Sequence, residues 1–273
     1  MIIKELENKT FIDTKDKIKW LVENKEKMIS ASKGTIKHSD CISVLMQKSA
    51  NHDDIIKTNK DVNKDELFAT LIINTTNILD SHGDVHIEGI WDKCLAEKPN
   101  LMHIQEHQKQ FDKIIADGED LNVYVKTYNW VDLGYDHPGT TQALVFESNI
   151  KKARNEFMFG QYQKGYVKNH SVSMQYVNIE LAVNDNEYKD EYAVWLKYID
   201  NIVNKKYAES VGYFWAVTEA NVFEGSAVPV GSNPVTPTLN IKQANKEIVV
   251  HEDEYYNVLH KLRANKISIL KNV

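Results

Sequence analysis

The chain has 273 residues, of which 42% are hydrophobic and 26% are charged, and its net charge is −6. This composition is typical of a soluble globular protein and excludes a disordered chain. The acidic balance argues against nucleic acid as the main partner, because phosphate binding requires a clustered basic surface. No run approaches the roughly 18 apolar residues of a membrane helix, and the N-terminus lacks the apolar stretch of a signal peptide. We therefore expect no membrane association and a cytosolic protein.

Two cysteines, Cys41 and Cys94, are present. A disulfide framework is excluded by this number, and a single bridge is not expected in a reducing compartment. We interpret both residues as ordinary thiols.

The first 66 residues are rich in Lys, Asp, Asn and Glu, with one amphipathic stretch at 18–24. They predict a helical, partly mobile N-terminal extension. From Leu67 the chain changes character: the apolar, β-branched run at 67–73 predicts a buried strand, followed by a turn. The folded domain is therefore expected to begin at residue 67.

The pattern that follows predicts a mixture of strands and helices. A short helix is expected at 90–95, and strands are expected at 101–105, 121–128, 171–182 and 220–230. Seven apolar residues recur near helical spacing within 142–166, which favours a helix there. They are Ala143, Leu144, Phe146, Ile150, Ala153, Phe157 and Met158. The prediction is an α+β domain centred on β-structure.

The end of the domain is marked by Pro229, Pro234 and Pro237 in a segment that also contains Gly225 and Gly231. These residues interrupt regular structure, so the domain is predicted to cover 67–238. Residues 239–273 form a charged tail with a helical pattern at 255–262.

The densest group of chemically active residues is His103-Ile104-Gln105-Glu106-His107, which permits two interpretations. On a helix, His103 and His107 lie on one face and match the H-x-x-E-H pattern of a zinc protease, with Glu106 as general base. On a strand that runs into a loop, His107 is instead a lone imidazole suited to act as general base toward a serine.

The serine interpretation requires a hydroxyl and an orienting acid elsewhere in the chain. Ser171 and Ser173 stand at the start of an apolar strand-like segment, beside His170. A hydroxyl is a poor nucleophile unless a base removes its proton. Glu224 lies in another apolar run, where an unpaired carboxylate is costly to bury, so it is a candidate to orient the imidazole.

These segments, in this order, resemble the prohead proteases of tailed phages, whose fold is similar to that of the herpesvirus maturation protease. Members have an Asp-Ser-x-Gly-Asp turn after the first strand, then a histidine after an apolar strand, a helix, a serine strand and a Glu-x-Ser-x-Val strand. The matching segments here are 80–91, His107, 171–174 and 224–228, with Asn233-Pro234 after them. The resemblance covers 67–238.

The resemblance implies a β-barrel-like herpesvirus-protease core with flanking helices, and a serine endopeptidase that needs no cofactor or metal. By carry-over, His107 deprotonates Ser171, and Glu224 orients His107. Ser173 stands where the family has glycine, so Ser173 remains the alternative nucleophile. His170 must point to the opposite strand face from Ser171 and is interpreted as a packing or surface residue.

The family also implies partners and a setting. The substrates would be the scaffold protein, the major capsid protein and the protease itself, cleaved inside the assembling bacteriophage procapsid in the host cytoplasm, by an enzyme that forms a homo-oligomer. Either tail could be a targeting or self-cleaved segment. A non-enzymatic capsid or tube protein of related fold is the alternative, beside a zinc metalloprotease that uses His103, Glu106 and His107.

Overall fold

The computed structural model describes residues 10–37 and 62–245, and these residues form an α+β fold. Cys41 and the helical pattern predicted at 255–262 lie outside the described residues. In the described part of the chain, no helix is long and apolar enough to cross a membrane. Cys94 carries a buried free thiol.

The elements are numbered here in chain order. The helices are α1 (Thr14–Glu23), α2 (Lys25–Lys33), α3 (Asp92–Ala96), α4 (Glu156–Gln163), α5 (Lys189–Tyr198) and α6 (Lys205–Val211). The strands are β1 (Ile36–Lys37), β2 (Val62–Thr75), β3 (Asp84–His86), β4 (Met102–Gln105), β5 (Ile114–Asp117), β6 (Leu121–Asn129), β7 (Thr140–Lys151), β8 (Asn169–Val183), β9 (Tyr213–Val228) and β10 (Thr238–Asn245).

The strands form two sheets. The larger has the order β1-β8-β9-β4-β5, with β3 also pairing with β9, and the smaller has the order β10-β2-β7-β6. Among the described strands neither path closes on itself, so the barrel-like closure expected from the resemblance is not present as a closed barrel. The coarser expectation of an α+β fold is confirmed.

The main hydrophobic core contains residues from both sheets. In β2, Leu67, Leu71 and Ile73 are buried in this core, whereas Phe68 is 49% exposed. Side chains that are two apart in a strand share a face, which is why the odd-numbered positions enter the core together. Val172 of β8 and Val222 of β9 belong to the same core. The strands that carry the candidate site residues are therefore anchored in the main hydrophobic core.

The two N-terminal helices also contribute to this core through Ile18, Leu21 and Met28. Helix α1 begins at an N-cap, Asp13, whose side chain accepts a hydrogen bond from the backbone N–H of Asp16 at 2.8 Å. Such a cap satisfies one of the free N–H groups of the first turn. The segment predicted as an extension is thus helical and packed on the domain over 14–33.

The predicted strands are confirmed: β2, β4, β6, β8 and β9 correspond to 67–73, 101–105, 121–128, 171–182 and 220–230, and the short helix at 90–95 corresponds to α3. The helix predicted over 142–166 is wrong in its first half, where the chain forms β7, and α4 supplies only the second half. Leu144 and Phe146 face the main core, while Ala143 and Val145 enter a separate cluster on the other face. A strand buried on both faces has no polar alternation, and its apolar run imitates a helix.

Candidate active site

The site is built on the larger sheet, where β9 lies between β4 and β8. The register pairs Ser171 with Ser226, and Ser173 with Glu224. On its other side Glu224 pairs with Met102 of β4. Because alternate residues of a strand point to the same face, the two serines of β8 and the Glu224 and Ser226 side chains share one face of the sheet.

His107 reaches this face through a tight turn after β4. Glu106 and His107 both have left-handed backbone conformations, with φ of 49° and 57°. The Glu106 N–H donates to the Ala227 carbonyl at 3.0 Å, and the His107 N–H donates to Ser226 Oγ at 3.0 Å. Left-handed residues other than glycine cost free energy and cluster at functional sites. The neighbouring strand thus holds the histidine in a conformation that the chain does not favour by itself.

The imidazole of His107 joins two groups that are far apart in the sequence. Its Nδ1 lies 2.6 Å from Glu224 Oε1, and its Nε2 lies 2.8 Å from Ser171 Oγ. The carboxylate can only accept a hydrogen bond when it is ionised, so Nδ1 carries the proton and Nε2 is left to accept the serine hydroxyl proton. This is the order of contacts that a serine nucleophile, a general base and an orienting acid require.

Glu224 is fully buried, and both of its oxygens have partners. Oε1 contacts His107, and Oε2 accepts a hydrogen bond from the Ser226 hydroxyl at 2.7 Å. The same Ser226 Oγ accepts the His107 backbone N–H. Ser226 therefore links the acid to the histidine turn, which is a role the sequence analysis did not assign. The available signal was its position two residues after Glu224 on the same face of one apolar strand.

Ser171 and His107 are both largely shielded from solvent. Ser171 is 2% exposed, and the His107 side chain is 11% exposed.

Behind the site, on the opposite face of the sheet, lies a chain of hydrogen bonds through buried groups. The Tyr162 hydroxyl is 3.0 Å from His103 Nε2 and 3.0 Å from His170 Nε2. His170 Nδ1 lies 3.0 Å from the Thr236 carbonyl oxygen, and His103 Nδ1 lies 2.9 Å from Ser148 Oγ. This chain connects β4 to β8, the strands that lead to His107 and carry Ser171.

The hydrogen-bond donors in this chain can be assigned one after another. A carbonyl only accepts, so His170 Nδ1 must carry a proton and its Nε2 must accept from Tyr162. The tyrosine has one proton, so His103 Nε2 must donate to the phenol oxygen, and Ser148 must donate to His103 Nδ1. Burial lowers the pKa of His170 to about 4 and that of His103 well below its usual range, which keeps both rings neutral.

Gly225, between Glu224 and Ser226, marks a close approach of the two sheets. A Cβ atom at this position would lie 2.6 Å from Phe146 Cε2 and 3.0 Å from Ile73 Cγ2, which belong to the smaller sheet. Only glycine fits such an approach. Strand β9, which carries Glu224, therefore packs directly against core residues of the smaller sheet.

The geometry separates the alternatives raised by the sequence. His107, Ser171 and Glu224 are brought together as predicted. Ser173 is buried on the same strand face, and His170 is a buried packing residue. The zinc interpretation is wrong in its structural requirement, because Met102–Gln105 is a strand and Glu106 begins a turn, so no helix presents His103 and His107 on one face.

No protein-family model, curated protein or solved structure matches the chain.

Proposed function

We propose that the chain is a serine endopeptidase in which Ser171 is the nucleophile, His107 the general base and Glu224 the orienting acid. The observation that supports the proposal is the pair of hydrogen bonds on His107, 2.6 Å to Glu224 and 2.8 Å to Ser171. In the sequence, His107 is 64 residues from Ser171 and 117 residues from Glu224, so no local interaction brings the three together. A further support is Ser226, which satisfies the second oxygen of the acid.

The chemistry follows from the direction of these bonds. Nε2 of His107 takes the Ser171 proton as Oγ attacks the peptide carbonyl carbon, and the resulting imidazolium gives that proton to the leaving amine. An acyl-enzyme remains, and water that is deprotonated by the same imidazole hydrolyses it. Glu224 stays ionised and stabilises the imidazolium in both halves of the reaction.

The resemblance to prohead proteases supplies the proposed biological setting. In that setting the enzyme has a herpesvirus-protease-like core, acts as a homo-oligomer and cleaves scaffold protein, major capsid protein and itself during procapsid maturation in the host cytoplasm. Enclosure in a procapsid would raise the effective concentration of a weakly binding enzyme against its packed substrates.

The nucleophile is tested with a fluorophosphonate, which forms a covalent bond with activated serines and needs no knowledge of the substrate. Wild-type protein is expected to be labelled on Ser171, because His107 can remove the hydroxyl proton. Ser171→Ala should abolish labelling, and Ser173→Ala, the matched change two residues along the same strand, should retain it. Intact-mass spectrometry and peptide mapping give the readout. Labelling that is lost only in Ser173→Ala would assign the reaction to the other serine.

The substrate class is tested by co-expression with the scaffold and capsid proteins of the same genome. Shortened products are expected with wild-type protein and not with Ser171→Ala, provided that circular dichroism shows the variant to be folded. Identical products from both proteins would contradict the proposal.

A further inference from the structure

A second group of ionisable side chains lies in the turn between β2 and β3. Asp80 Oδ1 accepts the backbone N–H groups of His82 and Asp84 at 2.8 and 2.9 Å, and Gly83 supplies the left-handed residue, with φ of 78°. The turn thereby brings the side chains of residues 80, 82 and 84 close together. One ligand atom each from Asp80, His82 and Asp84 lie within 4.8 Å of one another, which is the one such group of three or more among the described residues.

The two oxygens of Asp84 differ in their surroundings. The residue is fully buried, and Oδ2 accepts hydrogen bonds from Lys37 Nζ at 2.6 Å and from the Tyr176 hydroxyl at 2.8 Å. Oδ1 is also buried but has no hydrogen-bond partner within the described part of the chain. The hydroxyl of Ser81, in the same turn, is likewise buried and has no hydrogen-bond partner among the described residues. An ionised carboxylate oxygen that is buried without a partner is costly, so it calls for a ligand.

The local charge points to a cation as that ligand. Asp80 and Asp84 are both buried, and Lys37 is the cation that contacts this pair through Asp84. Within the residues that the structure describes, one ammonium group thus contacts a pair of buried carboxylates. One imidazole nitrogen and two carboxylate oxygens form a donor set that suits a divalent metal ion of borderline softness.

We propose that Asp80, His82 and Asp84 bind a divalent cation of the zinc type, with Asp84 Oδ1 as one ligand atom. Ligand atoms around a tetrahedral zinc ion lie about 3.4 Å apart, given bonds of about 2.0–2.2 Å. An ion would therefore have to draw the three atoms together by at most about 1.4 Å from their limit of 4.8 Å. His82 is the half-buried residue of the three, whereas Asp80 and Asp84 are buried. The bound ion would link Asp80 and His82 of the turn to Asp84 of β3, the strand that pairs with β9. This site is independent of the proposed peptidase function.

The direct test is calorimetric titration of metal-free, full-length protein with ZnCl₂. The wild type is expected to bind one equivalent. His82→Ala should weaken binding at least tenfold, because it removes one ligand, whereas His137→Ala should leave it unchanged. His137 is the matched control, since it is another half-buried histidine in a loop. Absence of stoichiometric binding by the wild type, or equal affinity of His82→Ala and wild type, would overturn the proposal.

Lys37→Met gives a second measurement that does not depend on the folding of His82→Ala. Removal of the ammonium group takes away the positive charge that competes with a metal ion for Asp84, while the Tyr176 hydroxyl still donates to Oδ2. Zn²⁺ should therefore bind more tightly than to the wild type and raise the melting temperature by a larger amount. MgCl₂ is titrated in parallel. Weaker Zn²⁺ binding in Lys37→Met, or binding of Mg²⁺ in preference to Zn²⁺, would contradict a site that includes the imidazole and the Asp84 carboxylate.

Discussion

The ring of His107 receives its orientation from both of its neighbours and from its own backbone. Glu224 contacts Nδ1, Ser171 contacts Nε2, and the His107 N–H donates to Ser226. Each of these contacts restricts the torsion angles of the His107 side chain or of the turn that carries it. Pre-organisation of this kind lowers the entropy that must be lost as the reaction begins.

The charge of Glu224 can be tested separately from its shape. Glu224→Gln keeps the volume of the side chain but removes the negative charge that stabilises the imidazolium. We expect the rate of fluorophosphonate labelling to fall by about 10²- to 10⁴-fold, as loss of an orienting acid does in other triads. Glu219→Gln, on the same strand, is the control, because Glu219 contacts Lys93 and Asn178 instead. Equal rates for Glu224→Gln and wild type would remove Glu224 from the mechanism.

At the scale of elements, the Tyr162 hydroxyl connects α4 with two strands. It contacts His103 of β4 and His170 of β8, and it is fully buried. The hydroxyl therefore couples the helix to the strand that precedes His107 and to the strand that carries Ser171.

Tyr162→Phe should destabilise the fold by about 2–6 kcal/mol, because it leaves the His103 donor and the His170 acceptor unpaired in the core, at about 1–3 kcal/mol each. Urea unfolding monitored by circular dichroism measures this change. Tyr166→Phe, four residues later on a side chain that is 66% exposed, should change the free energy of unfolding by less than about 0.5 kcal/mol. A similar small change for both variants would show that the hydrogen-bond chain has no net effect on stability.

The elements that the sequence predicted well are those with one clear period or clear boundaries. β8 has a run of β-branched and apolar residues, and α3 is preceded by glycine at position 89. β7 was predicted as a helix because its two buried faces remove the alternation on which a strand prediction depends. Most of β10 lies within 239–273, the segment predicted as a charged tail, because the pairing of β10 with β2 is a contact between distant segments that local composition does not encode.

The candidate site followed from chemistry more than from structure prediction. A histidine after a strand, a serine in a strand and an acid in an apolar run could each be identified by residue type, and the resemblance supplied their order. The sequence could not give the register of β8 on β9, which decides that Ser226 lies opposite Ser171. It also could not give the left-handed turn at His107, since that turn is imposed by bonds to β9.

At the scale of the whole molecule, stability depends on pH through three buried neutral histidines among the residues that the structure describes. Burial lowers the pKa of His86 and of His170 to about 4, and that of His103 well below its usual range. Between pH 6.5 and 4 the unfolded chain binds protons at these rings that the folded chain does not, so the free energy of unfolding falls as the pH falls.

The loss should amount to at most about 3 kcal/mol for each of His86 and His170. Asp80 acts in the opposite direction: burial and the charge of Asp84 raise the pKa of Asp80 to about 6, so its contribution is lost as the pH rises through 6. Because three rings oppose one carboxyl, the net free energy of unfolding should be lower at pH 4.5 than at pH 7. Urea unfolding at both values measures it, and equal or greater stability at pH 4.5 would contradict neutral burial of the rings.

The central place of β9 in the larger sheet also bears on the timing of activity during synthesis. β9 contributes Glu224 and Ser226 and pairs with β3, β4 and β8, yet it is among the last strands to be made. A nascent chain that ends before Glu224 has no acid for His107 and only part of the strand that pairs with β8. The order of synthesis would thus delay assembly of the His107–Glu224 contact until almost the entire domain had emerged.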